Sequence, residues 1–533
     1  MQITSEWSRV RRHSVLARNP LLLDGLSLIS GYLMVLGFAP YNIWLLTIVC
    51  FGVFFFCISQ PYCSQSRAVM RGYLFGLGMF CFETSWVYIS LHHYGGASVL
   101  AGIGLSGLAA AFYALFPMLA AFLMVALFPA RSVWLLTLVW PSIWILVEWL
   151  RAWFVFGFPW LQLGSSLLDS PLAGYMPLIG GYGSGWLAAA SAGLVVGFIQ
   201  YRCKHENTKI ESSKISFVIL ILLVIWGLGI ALKLVDWTTP RGKPFTVALL
   251  QGNTAQEQKW NPEQRAKIIQ KYLRLTGDNW DADLIVWPES AVPAYFHKMQ
   301  DFYNQLAELG QQHHTDLLIG TLSADADTKR YYNTVVIPGN PPQLYRKRHL
   351  VPFGEYLPFQ PVSGWIAQFL SMPMSGFSAG QKDQPLLHAA GMPLVATICY
   401  EDSYPSENLS GLPEAAYIVN VSNDAWFADS IAPHQHLQHA RMRSLETGRY
   451  TLRATNNGIT AIIDPSGRVI KQLPQFIPAV LKARVQGMKS ATPYVRIGDT
   501  PVLLSLFVLI VVYLFWSMRR KSGGLSNQSL AQH

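Results

Sequence analysis

Charge is scarce in this 533-residue chain: 13% of residues are Asp, Glu, Lys or Arg, 51% are hydrophobic, and the mean hydropathy is positive. That balance excludes an ordinary water-soluble protein and implies an integral membrane protein with room for one soluble domain. Cysteine is scarcer still. Of the six, Cys50, Cys57, Cys63, Cys81 and Cys203 lie in or beside apolar stretches, which leaves Cys399 alone in the long soluble segment 235–500. A disulfide framework is thereby excluded there, and an unpaired thiol is either buried filler or a reactive group. Internal repeats and low-complexity tracts are absent too.

Apolar runs of bilayer-spanning length, or nearly so, occur around 20–37, 42–59, 73–91, 98–128, 133–150, 178–199, 216–234 and 501–516, eight candidate spans. Arg9, Arg11, Arg12 and Arg18 precede the first, and Arg67 and Arg71 follow the second. Arg131 follows the fourth, Arg202, Lys204, Lys209 and Lys214 the sixth, and Arg519, Arg520 and Lys521 the eighth. The alternate connections near 38–41 and 92–97 lack Lys and Arg, and the one near 151–177 holds only Arg151. Both termini are therefore expected in the cytoplasm and 235–500 outside, which in a bacterium is the periplasmic face of the inner membrane. The flanks carry 14 basic against 3 acidic residues (Glu6, Glu206, Glu211), so the chain's formal +10 is a topology signal and says nothing in favour of nucleic acid. The expected organisation is a membrane domain over 1–235, a soluble domain over 244–490, a last span at 501–516 and a tail at 517–533. Asp236–Lys243 reads as a polar linker.

The soluble segment alternates strands and helices. Thr246–Asn253, Ala282–Glu289, Asp316–Ser323, Tyr332–Pro338, Leu394–Tyr400, Ala416–Ser422 and Thr460–Asp464 read as strands closed by turn residues. Asn261-Pro262-Glu263-Gln264 opens a helix to about Thr276, Phe302, Leu306 and Leu309 form the apolar stripe of a second, and Pro433–Tyr450 looks helical. Glu289 and Cys399 each fall at or just beyond the C-terminal end of a strand, where open sheets place their chemistry. Lys347 falls on a loop after the 332–338 strand. An acid, an amine and a thiol can divide the work of base, oxyanion partner and nucleophile, which points to acyl transfer through a thioester.

Three motifs in order carry a resemblance: Val-Trp-Pro-Glu-Ser (286–290), Lys-Arg-His-Leu-Val-Pro-Phe-Gly-Glu-Tyr-Leu-Pro (347–358) and Ile-Cys-Tyr-Glu (398–401). Together they resemble the nitrilase (carbon–nitrogen hydrolase) superfamily. Seven spans before such a domain and one after it look like the apolipoprotein N-acyltransferase family of bacterial inner membranes. Ser-Asn-Asp-Ala-Trp-Phe (422–427) and Ala-Thr-Asn-Asn-Gly-Ile-Thr (454–460) are similar to later motifs of that family. The resemblance implies an αββα sandwich beside a multi-span helical domain, with Cys399 as nucleophile, Glu289 as general base and Lys347 as oxyanion stabiliser. It also implies supporting roles for Glu355, Tyr400 and Glu401, and puts Trp260 on a loop over the site, although a staple at a helix start would look the same. The expected partners are a phospholipid acyl donor, with phosphatidylethanolamine favoured, and a diacylated apolipoprotein acceptor; no metal or nucleotide cofactor is expected. The alternative is a membrane-tethered amidase that passes its thioester to water.

A few residues stand apart. The Tyr400 amide could be a second oxyanion donor. Asp402 adds a polar residue where the family pattern has an apolar one. His434, His436 and His439 invite a metal reading, but 434 and 436 point to different sides of a helix, with no acid nearby to complete a set. Glu83 and Glu148 are costly inside a bilayer, and Arg151 is the expected ion-pair partner of Glu148. Finally, 357–377 is apolar, rich in Pro and Gly and free of charge, and reads as a lid dipping into the outer leaflet, with core packing as the alternative.

Overall fold

The computed structural model describes residues 19–529 apart from 62, 129–131, 205–211, 326 and 360–375. Residues 360–375 of the apolar 357–377 segment, expected as a lid, and the flanking Arg9, Arg11, Arg12, Arg18, Arg131 and Lys209 thus lie outside the described residues. Among the described residues six helices are long and apolar enough to cross a membrane: Pro20–Gly37, Val99–Leu127, Leu135–Trp153, Pro171–Cys203, Lys214–Leu232 and Thr500–Arg519. A seventh is a pair, Gln65–Glu83 and Ser85–Tyr94, bent by 46°, and Trp44–Ile58 is a shorter apolar helix. All eight expected spans are helical, but the third begins at Gln65 rather than 73 and is broken after Glu83. Arg67 and Arg71 are therefore helical, and both pair with Asp24 of the first helix, at 2.6 and 2.8 Å. An ion pair of this kind is what makes an acid tolerable there.

Twelve strands among the described residues form two six-stranded sheets. In chain order they are β1 Thr239–Gln251, β2 Leu284–Trp287, β3 Asp316–Ala324, β4 Tyr331–Ile337, β5 Gln343–Arg346, β6 Leu387–Ala389, β7 Met392–Ile398, β8 Tyr417–Ser422, β9 Thr451–Thr455, β10 Ala461–Ile463, β11 Val469–Gln472 and β12 Ala479–Lys489. The first sheet runs β12-β1-β2-β3-β4-β5 and the second β11-β10-β9-β8-β7-β6. Each has three parallel strands at its centre, β1-β2-β3 and β7-β8-β9, flanked by antiparallel neighbours.

Side-chain alternation explains the layering. Val247, Leu249, Leu284, Val286 and Leu318 share one core with Leu394, Ala396, Ile398, Val419, Val421 and Leu452, so the two sheets pack face to face. Their neighbours Ala248, Leu250, Ile285, Trp287, Leu317 and Ile319 pack instead on Ile268, Tyr272, Tyr303 and Leu306 of the helices Arg265–Gly277 and Gln300–His313. On the far side Leu437 and Ala440 of the helix Ala432–Thr447 cover Ala461 and Ile463. The result is the expected αββα sandwich.

Several boundaries differ from the sequence reading. Thr239–Lys243 is the start of β1, pairing with β12 from Thr239↔Lys489 onward, so the linker shrinks by five residues. The stripe on Gln300–His313 is Tyr303, Leu306 and Gly310, while Leu309 is exposed. The Asn261 cap holds: its side chain accepts from the Glu263 amide, and a single 3-10 turn leads into Arg265–Gly277.

Candidate active site

Each chemical group sits at the end of a strand. Cys399 follows β7 directly, at φ +53°, a left-handed conformation that a non-glycine residue adopts only when its surroundings enforce it. Glu289 comes two residues after β2, and its successor Ser290 is also left-handed, at φ +47°. Gly320 of β3 backs that turn. A Cβ there would lie 2.2 Å from the Pro288 carbonyl oxygen and 2.8 Å from the Glu289 Cα, so only glycine fits. Lys347 is at the end of β5, a strand the sequence reading merged into a loop because its four residues are too few to show alternation.

The structure brings these three together. Cys399 interacts electrostatically with Glu289, Lys347, Asp424 and Glu355. Glu289 and Lys347 are buried and Cys399 keeps partial exposure. Burial, then the Glu289 charge, pushes the Cys399 thiol up, so at neutral pH it rests protonated and a base must take its proton as it attacks. Burial pulls Lys347 down, but Glu355, Glu289 and Cys399 more than offset this and hold its ammonium above the usual lysine range. Glu355 pairs with the Lys347 Nζ at 2.8 Å and accepts from the Val351 amide at 2.8 Å. Asn333 bridges the two acids: its Nδ2 donates to Glu289 Oε1 at 2.6 Å and to Glu355 Oε1 at 3.1 Å.

Matches to known proteins follow the same division of the chain. The carbon–nitrogen hydrolase family matches residues 246–494, and the apolipoprotein N-acyltransferase N-terminal domain matches 30–194. The apolipoprotein N-acyltransferase of Methylococcus capsulatus is 43% identical over 93% of this chain and 96% of its own length. Those of Nitrosomonas europaea and Vibrio cholerae are 41% and 37% identical, each over 92% of this chain and 97% and 96% of their own. The chain belongs to the apolipoprotein N-acyltransferase family.

For a family member that combines a hydrolase fold with membrane helices, the residues next to Cys399 are the most informative. Glu401 is a buried clamp. Its Oε2 accepts from the Ile398 amide at 2.7 Å and the Tyr345 hydroxyl at 2.9 Å, and its Oε1 from the amides of Arg348 at 2.6 Å and His349 at 3.1 Å. It thereby ties the backbone after Lys347 to the backbone before Cys399. Burial, then Glu407, raises its carboxyl to about 7. Tyr400 points the other way: its hydroxyl donates to the Gly157 carbonyl at 2.9 Å, and Trp160 stacks on its ring at 5.5 Å. Gly157 is left-handed, at φ +56°, and a Cβ on it would meet the Ala152 carbonyl oxygen at 2.6 Å. Tyr400, Tyr404, Met442 and Leu445 accordingly belong to the same apolar core as the membrane helices.

Some expected placements are corrected. Arg151 does not pair directly with Glu148. Its guanidinium donates to the carbonyls of Trp160 and Leu161, while Glu148 Oε2 accepts from the Trp144 indole and the Leu163 amide. Both side chains thus brace the same loop that carries Gly157. Glu83 has partners too, the Trp86 indole at 3.1 Å and the Gln435 amide at 3.0 Å. Trp260 is half-buried at the end of a short helix, Gln256–Lys259. The three histidines go separate ways: His434 to Gln475, His436 to Asp424, and His439 to Ser403. Asp402 sits in an ion pair with Arg453 at 2.9 Å.

Two contributors escaped the sequence reading altogether. Asn333 lies inside β4 and looks like any strand polar residue. Lys259 is buried, donates from Nζ to the Glu289 carbonyl at 2.9 Å, and is brought down to about 8 by burial, against the pull of Glu289 and Cys399. A lysine beside a tryptophan offers no signal of this in one dimension.

Proposed function

We propose that this chain transfers an acyl chain from a phospholipid, through a thioester on Cys399, to the α-amino group of the N-terminal diacylglyceryl-cysteine of an apolipoprotein. Glu289 takes the Cys399 proton as sulfur attacks the ester carbonyl. The Lys347 ammonium and the Tyr400 amide hold the oxyanion. Collapse breaks the ester C–O bond, and the lysophospholipid oxygen leaves with the proton from Glu289. The lipoprotein amine then attacks the thioester, Glu289 takes a proton from it, and the thiol is regenerated. Phosphatidylethanolamine is the donor this reading favours. The catalytic domain, 244–490, faces the periplasm, and both termini are cytoplasmic.

One observation supports the lipid reading most: the residue next to the nucleophile, Tyr400, bonds to the membrane domain through Gly157 and Trp160. A thiol in that position is suited to substrates that arrive laterally from the bilayer. The names of the relatives point the same way.

The test is intact-mass analysis of protein incubated with phospholipid. An acyl adduct should appear on Cys399, persist in water, and discharge when a diacylated lipopeptide with a free amine is added. Cys399→Ala should form no adduct and transfer nothing; full transfer by that variant would sink the mechanism. Rapid release of fatty acid with no amine present would assign the site to a tethered hydrolase.

A further inference from the structure

The carbonyl oxygen of Cys399 accepts from two buried side chains, His436 Nε2 at 3.1 Å and Asn420 Nδ2 at 3.3 Å. The other ring nitrogen of His436, Nδ1, lies 2.9 Å from Asp424 Oδ1. Both ring nitrogens therefore face oxygens that can only accept. A neutral imidazole has one N–H and one lone pair, so either tautomer would set a lone pair against an oxygen. The ring must carry both protons.

The surroundings balance that charge. Asp402 Oδ1 lies 3.0 Å from His436 Nε2, and Arg453 spans Asp402 Oδ2 at 2.9 Å and Asp424 Oδ2 at 3.0 Å. Two carboxylates thus face one guanidinium and one imidazolium, and all four side chains are at most 2% exposed. His439 on the same helix and Cys399 itself are further ionisable neighbours. Burial lowers His439 to about 3, so it is neutral and bonded to Ser403. For His436, burial and Arg453 push down, Asp402 and Asp424 push up harder, and the value is raised to about 9. Cys399, Asp424 and His436 offer atoms within 4.8 Å of one another, close enough to share an ion, but both nitrogens of His436 are already committed.

The carbonyl that His436 contacts belongs to the Cys399–Tyr400 peptide. The N–H of that same peptide is the donor assigned above to the oxyanion. Amide resonance links the two ends: a charged donor on the oxygen draws density from the nitrogen and strengthens its N–H. We propose that His436, as an imidazolium, is a positioning residue for acyl transfer. It pins the left-handed turn of Cys399 and polarises the Cys399–Tyr400 peptide toward the oxyanion. The proposal rests on Cys399 being the nucleophile.

The experiment compares two reactions of Cys399 in the full-length protein. Acylation by phospholipid passes through an oxyanion, whereas alkylation by iodoacetamide is displacement at a saturated carbon and does not. His436→Asn keeps a donor near Asp424 and loses the one to the Cys399 carbonyl. Acylation should fall about 10- to 100-fold, less than the roughly 10²–10³ lost with a whole oxyanion donor, while alkylation stays within about threefold. Parallel loss of both reactions, or unchanged acylation, overturns the proposal. Should the variant fail to fold, 15N-histidine spectra of the unaltered protein decide: both nitrogens of His436 must be protonated at neutral pH, and a neutral tautomer overturns the proposal. If Cys399→Ala still transfers acyl groups, it is the nucleophile assignment that fails, whatever His436 shows.

Discussion

Replacing Glu355 by Gln removes a charge from beside Lys347 with little change of shape. The Glu355 carboxylate is 2.8 Å from the Lys347 Nζ, and the lysine side chain is 1% exposed. Two unit charges at that distance, in an effective dielectric of about 20, attract by roughly 6 kcal/mol. Breaking a buried pair by removing one partner costs about 3–5 kcal/mol in practice. Glu289 and Cys399 remain to oppose the burial of Lys347, and the amide oxygen of Gln can still accept from the Val351 amide. If about half of the attraction is lost, the proton on Lys347 is held less tightly by about two pH units, at 1.36 kcal/mol each. The direction follows from the folded state. Lys347 is held above the ordinary lysine range, so the ammonium survives until the pH rises past that range. The variant should lose it at lower pH, as burial gains the upper hand.

The assay is acyl-enzyme formation followed by intact mass from neutral to strongly alkaline pH. Glu355→Gln should show a modest loss near neutrality that deepens as pH rises, with an alkaline limb the unaltered protein lacks in that range. Stability has the same sign: a raised lysine contributes fully below its unfolded value, so the variant should melt lower at neutral pH. A loss of rate independent of pH, or no loss, would refute the view that Glu355 acts by keeping Lys347 charged.

Other outcomes follow from particular contacts. Glu401→Gln sets an amide NH2 against backbone N–H groups that need an acceptor; it should cost about 2–4 kcal/mol in thermal unfolding and abolish acylation and alkylation of Cys399 together. Tyr400→Phe loses the bond to the Gly157 carbonyl and the one accepted from the Tyr404 hydroxyl, each worth about 1 kcal/mol, and should slow loading by phospholipid more than alkylation by a small reagent. Gly320→Ala drives a methyl into the Pro288–Glu289 backbone and should lower acylation about 100-fold by displacing the base, as read in single-turnover experiments. A reporter fused after Gln486 should respond from the periplasm and one fused after Gly523 from the cytoplasm; the same side for both would overturn the charge argument.

The sequence was legible where one local pattern decides a structure. Long apolar runs marked the helices, and seven strands were readable from β-branched runs ended by turn residues. The missed strands explain themselves. β5, β6 and β11 have four, three and four residues, too short for alternation to register. β9, Thr451–Thr455, hides because Arg453 sits at its centre, a charge that belongs there only because Asp402 and Asp424 wait across the fold. β12 carries Lys482, Arg484 and Gln486 on alternate positions and is half-polar for that reason. At the site, Glu289, Lys347 and Cys399 came from motifs, and Glu355, Tyr400 and Glu401 from their neighbours. The parts played by Asn333, Lys259 and His436 did not, because each acts through a contact 22 to 44 residues away; His436 stood out only as one of three neighbouring histidines, which says nothing of the carbonyl it meets.

The helix Ala432–Thr447 accounts for the cluster that looked like a metal site. Its turns of 3.6 residues deal side chains to three different surroundings. Leu437 and Ala440 meet the second sheet. Gln435, Gln438 and Glu446 reach the membrane domain, bonding to Glu83, the Ala39 amide and the Gly181 amide. His436 and His439 face the turn that carries Cys399, through its carbonyl and through Ser403. A helix with one apolar face and water on the other would need no such residues. One mostly enclosed must find partners for the polar groups it buries, and His436, His439, Gln435 and Gln438 find theirs in three different directions. The same helix thus bonds both to the apolar helices of the N-terminal part and to the Cys399–Tyr400 peptide.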